Sequence, residues 1–195
     1  GKGMVTKEAR SGKPCAIGGR RPFWRDGVSG TALQVDGYTT QITFPAAAQA
    51  GLSDGLTLEA WTAVAAYPWN WAPLVQQGDD KGYFLGINAD GKPGLRIKVN
   101  NLLYELVAKT ALEHRRWYYL AGTYDATTGE MALYLDGDLA AKQTIAPGPI
   151  EIPDVPIQMG KGMDRFPADP VFAWLFPASY AFDGLIDEVL SLIHI

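Results

Sequence analysis

From Thr31 onward, apolar and polar residues alternate in short runs. Leu56, Leu58 and Ala60 alternate with Thr57, Glu59 and Trp61. Leu95, Ile97 and Val99 alternate with Arg96 and Lys98, and Met131, Leu133 and Leu135 with Ala132, Tyr134 and Asp136. A period of two is the mark of a half-buried strand, because successive side chains point to opposite faces. Asp54-Gly55, Asp90-Gly91, Thr128-Gly129 and Asp136-Gly137 separate these runs. Such pairs supply the positive φ angles that tight hairpins require. No stretch holds a capped helical period. Ala46–Ala50 comes nearest, and it amounts to one short turn. Many short strands with regular turns predict an all-β sandwich or barrel. The rhythm breaks over 164–181, where Pro167, Pro170 and Pro177 stand among Phe166, Phe172, Trp174, Phe176 and Tyr180. Proline removes ladder donors, so this segment is expected to be a long loop.

A chain of 195 residues is one domain's worth, enough to bury a core. It has no apolar run of about 18 residues, so no membrane span is expected. Charge is uneven. Seven of the 17 Lys and Arg fall in residues 1–25, where only Glu8 opposes them, so the remainder carries a net −10 against −4 for the whole. An acidic body repels phosphate backbones, which argues against nucleic acid as a partner and favours cations. Residues 1–25 read as a basic leader or interdomain linker, with at most one strand near Ala16–Ile17. The chain opens on Gly1 without an initiator methionine or signal peptide, as a fragment or mature piece would. Cys15 is the only cysteine, so no intrachain disulfide is possible.

Four segments appear in a fixed order: Ala32-Leu-Gln-Val-Asp-Gly-Tyr38, Trp117-Tyr-Tyr-Leu-Ala-Gly-Thr-Tyr-Asp125, Met131-Ala-Leu-Tyr-Leu-Asp-Gly137 and Phe182-Asp-Gly-Leu-Ile-Asp-Glu-Val189. Together they resemble the laminin-G-like branch of the concanavalin A-like lectin/glucanase superfamily, over roughly residues 30 to 189. The resemblance implies a two-sheet antiparallel jelly-roll sandwich, placed here at 26–189. It also implies a binding or accessory module rather than a catalyst. Relatives often carry a structural calcium tying the first strands to the last. The matching positions are Asp36, the carbonyl of Gly37, and Asp187. Oxygen ligands from loops suit that ion, whereas Asp36-Gly37 is equally a favoured turn pair.

Little in the chain suggests catalysis. A retaining glycosidase needs two carboxylates about 5 Å apart. Asp187 and Glu188 are adjacent, so on a regular strand they face opposite ways, and Glu105 and Glu113 are isolated. His114 sits in Leu112-Glu-His-Arg-Arg116 and reads as a surface turn. One cysteine and one credible histidine cannot assemble a zinc site. Aromatic residues point to a sugar instead. Tyr67-Pro-Trp-Asn-Trp-Ala-Pro73 holds Trp69 and Trp71 two apart, flanking Asn70, between prolines that indicate a loop. If extended, the two rings share a face and, with Trp174 and Tyr180, form an aromatic rim. Trp61 and Trp117 lie within strand patterns and are expected in the core.

The expected function is a noncatalytic carbohydrate-binding or accessory module of a larger secreted bacterial protein. Polysaccharide or oligosaccharide would be its partner, and an attached catalytic domain would sit in the parent chain. The Tyr-Pro-Trp-Asn-Trp text and basic leader look like modules placed before glycoside hydrolase domains in environmental bacteria, including five-bladed fructan-hydrolase propellers. The alternative is a structural module that packs against a neighbouring domain or protein without binding sugar. The final residues, Leu190-Ser-Leu-Ile-His-Ile195, match the translation of a transposase mosaic-end adapter. They are expected to be adapter read-through from a metagenomic fragment, with a natural apolar strand as the alternative.

Overall fold

The computed structural model describes residues 3–7, 12, 14–19, 22–45, 54–78, 81–162 and 181–193, with side chains as far as 190. Ala46–Ala50, Trp174 and Tyr180 lie outside them, as does most of the proline-rich segment. The described residues form fifteen strands and no helix. They are β1 (Val5–Lys7), β2 (Pro14–Gly18), β3 (Phe23–Asp26), β4 (Thr31–Asp36), β5 (Gln41–Phe44), β6 (Gly55–Ala66), β7 (Ala72–Gln77) and β8 (Tyr83–Ile87). There follow β9 (Pro93–Val99), β10 (Leu102–Val107), β11 (Trp117–Asp125), β12 (Glu130–Leu135), β13 (Asp138–Thr144), β14 (Ile157–Met159) and β15 (Asp183–Ile193).

Two antiparallel sheets face each other. One runs β1-β2-β5-β14-β7-β8-β9-β10, the other β13-β12-β11-β6-β15-β4-β3. The alternation seen in the sequence decides which side chains fill the space between them. Leu95, Ile97 and Val99 from one sheet meet Leu56, Leu58, Met131 and Leu133 from the other. Further along the same sandwich, Leu74 and Ile87 meet Val35, Ala60, Val64, Leu120 and Phe182. Each fully buried side chain of this kind stabilises the fold by roughly 1.5–3 kcal/mol. Tight hairpins link neighbours. Asn100 and Asn101, at φ 52° and 63°, join β9 to β10, and Asp136 and Gly137, at 53° and 89°, join β12 to β13. Paired left-handed residues match the twist of the strands they connect.

The described parts of the first 25 residues, expected to hold at most one strand, pair into both sheets. β1 and β2 extend the eight-stranded sheet and β3 edges the seven-stranded one. Cys15 and Ile17 are buried, and Trp24 Nε1 donates to Gly3 O at 3.0 Å, tying the two sheet edges together. Short apolar segments flanked by charge read as solvated in isolation, yet each buries alternate residues once a sheet edge is available. Trp61 and Trp117 likewise differ from expectation. Both are only half buried, and Trp61 packs on Tyr119 at 5.5 Å between ring centroids. Trp61 lies between Ala60 and Thr62, of which Ala60 faces the core, so its ring points outward. At the C-terminus Leu190–Ile193 continue β15 opposite Glu59–Leu56 of β6.

Candidate functional site

One end of the sandwich gathers most of the residues singled out in the sequence. Asp183 pairs with Asp36 on one side and with Ala66, the last residue of β6, on the other. The β4–β5 turn, the β6–β7 loop and the start of β15 therefore lie together. Backbone bonds add the loops around them. Leu112 N donates to Gly91 O and Arg115 N to Val64 O, at 2.9 and 2.7 Å.

The Tyr67–Trp71 loop is anchored at both ends. The Tyr67 hydroxyl donates to Leu112 O at 2.5 Å, and its ring stacks on His114 at 4.3 Å. Asn70 Oδ1 accepts from Trp71 N at 2.7 Å, so the amide shapes the loop. Trp69 is 50% exposed. Trp71 has a different environment. Its ring lies on the outer face of the eight-stranded sheet, edge-on to Phe84 at 5.5 Å and 88°. Gly94 makes room for it, since a Cβ there would sit 2.5 Å from Trp71 Cη2. The twin platform expected of Trp69 and Trp71 is thus divided. One ring meets solvent at the rim and the other covers the sheet.

Beneath Trp71, the register lines up a row the sequence could not show. Thr43 is opposite Gln158, Gln158 opposite Gln76, Gln76 opposite Phe84, Phe84 opposite Arg96, and Arg96 opposite Glu105. Their neighbours Leu85, Leu95 and Ile97 face the core, so the row faces outward. Gln76 Nε2 donates to Gln158 Oε1 at 3.2 Å. The Arg96 guanidinium lies 5.5 Å from the Trp71 ring and 5.9 Å from Phe84, the range of a cation–π contact. Its Nε is 3.3 Å from Glu105 Oε2, an ion pair outside hydrogen-bond geometry. Only alternation flagged Arg96 as outward-facing. Its partners come from strands far apart in sequence.

The residues matched to calcium do not fit a shared ion. Asp187 lies four residues beyond Asp183 along β15, which is about 13 Å of strand, and Asp36 pairs with Asp183 itself. Two ligands of one calcium cannot be that far apart. Each carboxylate is also engaged in protein contacts. Asp36 Oδ1 accepts from the backbone N of Tyr38, Thr39 and Thr40 at 3.1, 2.7 and 2.9 Å, and Oδ2 accepts from Thr39 Oγ1 at 2.6 Å. Burial pushes the Asp36 carboxyl up, but the Thr39 hydroxyl and these N–H groups outweigh it and hold the group well below the usual carboxylate range. Gly37 N donates to Phe182 O at 3.0 Å, closing the turn against β15. Asp187 is buried and accepts from Ser29 N and Glu188 N at 3.1 and 3.0 Å. Glu188 at φ 44° marks a bulge in β15 and is exposed, so the pair still diverges. Among the described residues, no group of three or more His, Cys, Asp or Glu is placed to hold a metal.

The sheet order, the open sandwich and the clustered loops define a class. The profile of the concanavalin A-like lectin/glucanases superfamily, in its laminin G form, matches residues 36–190. The chain belongs to that family. Among solved structures it is similar to domain 4 of AbnA, an extracellular GH43 arabinanase from Geobacillus stearothermophilus, determined in complex with arabinotriose. The identity is 17% and the TM-score 0.65, over 98% of this chain and 82% of that one. A candidate carbohydrate binding protein from Bacteroides ovatus aligns at 18% identity and TM-score 0.55, over 82% of this chain and 44% of the other. The receptor binding domain of a botulinum neurotoxin C/D mosaic serotype aligns at 12% and 0.61, over 97% and 47%. At these identities the likeness is one of fold. No curated protein matches the chain in sequence.

Proposed function

We propose that this chain is a noncatalytic carbohydrate-binding module of a larger secreted bacterial protein, attached in its parent chain to a glycoside hydrolase domain. The observation that carries the reading is Trp69, half exposed on a loop pinned through Tyr67 to Leu112 and His114. Sugar rings stack on exposed indole faces, and a loop already ordered loses little entropy on binding. The neighbouring outer face adds planar polar groups at Gln158, Arg96 and Glu105, the types that bond to adjacent hydroxyls. The fold likeness to an arabinanase domain determined with arabinotriose supports the same reading. Glu105 and Glu113 are tied to Arg96 and Arg116, which suits ligand-facing or surface roles better than acid–base work. Affinity electrophoresis through gels containing arabinan, xylan, fructan or polygalacturonate tests the proposal. Retardation by at least one polymer is expected, and Trp69→Ala should abolish it without lowering the melting temperature. If no polymer retards the domain, the module that packs against a neighbour becomes the better account.

A further inference from the structure

Positive charge collects in the segment that Tyr67, two residues before Trp69, packs against at Gly91, Leu112 and His114. Residues 88–116 hold six of the ten basic residues of 26–195 but only three of its twenty acidic ones. Three of those cations are neutralised. Arg96 pairs with Glu105, Lys98 with Glu151 and Arg116 with Glu113, at 3.3, 3.4 and 3.0 Å. Lys92, Lys109 and Arg115 have no carboxylate within ion-pair distance among the described residues. Lys92 and Lys109 both follow the end of the β9–β10 ladder. Gly94 pairs with Val107 and Ala108 N donates to Pro93 O at 2.9 Å, so each lysine is the next residue beyond that last contact. Like charges at one ladder end repel each other. A fold that keeps two such lysines at a loop rim has a place where a bound anion relieves repulsion. Arg115 stands beside His114, whose ring stacks on Tyr67. Its φ of 61° is uncommon for a non-glycine residue, a conformation that concentrates at ligand clamps.

We propose that this rim selects saccharides bearing carboxylates, the uronic-acid polymers, with Trp69 stacking on a ring face and Lys92, Lys109 and Arg115 meeting the carboxylates. The proposal rests on the carbohydrate-binding reading and narrows it to a ligand class. A polyuronate presents one carboxylate on every sugar, so several cations act on one chain. A cation–carboxylate contact is also stronger than a neutral hydrogen bond.

The test is titration calorimetry with polygalacturonate or alginate oligosaccharides, neutral arabinan oligosaccharides and dextran sulfate, at low and high salt. The wild-type domain is expected to bind a uronate about tenfold more tightly than the neutral sugar, and to lose that preference in high salt as exposed charges are screened. Lys92→Gln/Lys109→Gln should reduce the uronate-to-neutral ratio about tenfold, whereas Lys92→Arg/Lys109→Arg should keep it. Circular dichroism confirms that each variant is folded. Equal affinity for uronate and neutral sugar overturns this inference but leaves the carbohydrate module standing. So does a preference that survives the double Gln substitution. Dextran sulfate bound as tightly as uronate overturns it in favour of a general polyanion surface. Binding of none of the three overturns both readings.

Discussion

Asp36→Ala should cost about 2–3 kcal/mol of unfolding free energy, because its carboxylate accepts the N–H groups of a whole turn. It receives three backbone N–H groups and one hydroxyl. A hydrogen bond to a charged acceptor contributes about 1.5–3 kcal/mol when water cannot replace it. Tyr38 is exposed and Thr39 half buried, so solvent can take over at both and their loss is small. Thr40 is 1% exposed. Its N–H would be left without a partner, and that one bond supplies most of the cost. Asp36→Asn keeps an acceptor oxygen and gives up only the charge, so about 1 kcal/mol is expected. The pH dependence follows from the sign of the shift. The folded carboxyl is held below its ordinary value, so its charge stabilises the fold at pH above the usual carboxylate range. That contribution disappears as pH falls through the folded value. The gap between wild type and Asp36→Asn should accordingly be full at neutral pH and narrow below about pH 4. Urea unfolding followed by tryptophan fluorescence, with and without calcium, measures all of this. A loss for Asp36→Ala within about 0.5 kcal/mol, the ordinary range of a surface substitution, refutes the turn-capping argument. A calcium-dependent gain in wild type that vanishes in Asp36→Ala would make Asp36 a metal ligand instead.

Three further outcomes are expected. Trp71→Ala should cost about 2 kcal/mol in urea unfolding, roughly half the loss of a fully buried aromatic ring, since its ring covers Gly94 and Phe84; Trp69→Ala should stay within about 0.5 kcal/mol. Asp187→Ala should cost about 1 kcal/mol by removing the buried carboxylate that accepts from the Ser29 and Glu188 N–H groups, because both residues are exposed and solvent takes over part of the loss, and equal loss of amide protection throughout the domain would show the damage is not confined to that turn. Asp183→Asn should raise the melting temperature at neutral pH, because burial and then the Asp36 charge push the Asp183 carboxyl up. Ionising Asp183 costs stability as pH rises through its folded value, so the gain should vanish below the usual carboxylate range, where both side chains are neutral.

Much of the architecture was legible in local text. Alternation at Leu56–Trp61, Leu95–Val99 and Met131–Asp136 marked β6, β9 and β12, and Asp136-Gly137 marked a hairpin, because period and turn chemistry are properties of a few adjacent residues. Asp36-Gly37 was legible as a turn for the same reason. What the tertiary structure decided was which remote strands meet. β14 lies between β5 and β7, and β15 between β4 and β6; those pairings depend on burial shared by segments eighty or more residues apart. Register then set the distances on which function turns. It moved Asp187 about four residues from the Asp36–Asp183 pair, too far for one ion. It aligned Arg96 with Phe84 and Glu105, set Lys92 and Lys109 at one end of the β9–β10 ladder, and drew Val5–Lys7, Pro14–Gly18 and Phe23–Asp26 into the sheets. Trp69 and Trp71, equivalent as a pattern, became a rim residue and a sheet cover. Trp71 stands directly before β7 and finds Gly94 of β9 beneath it. A side chain's neighbours across a sheet come from other parts of the chain, and local periodicity carries no record of them.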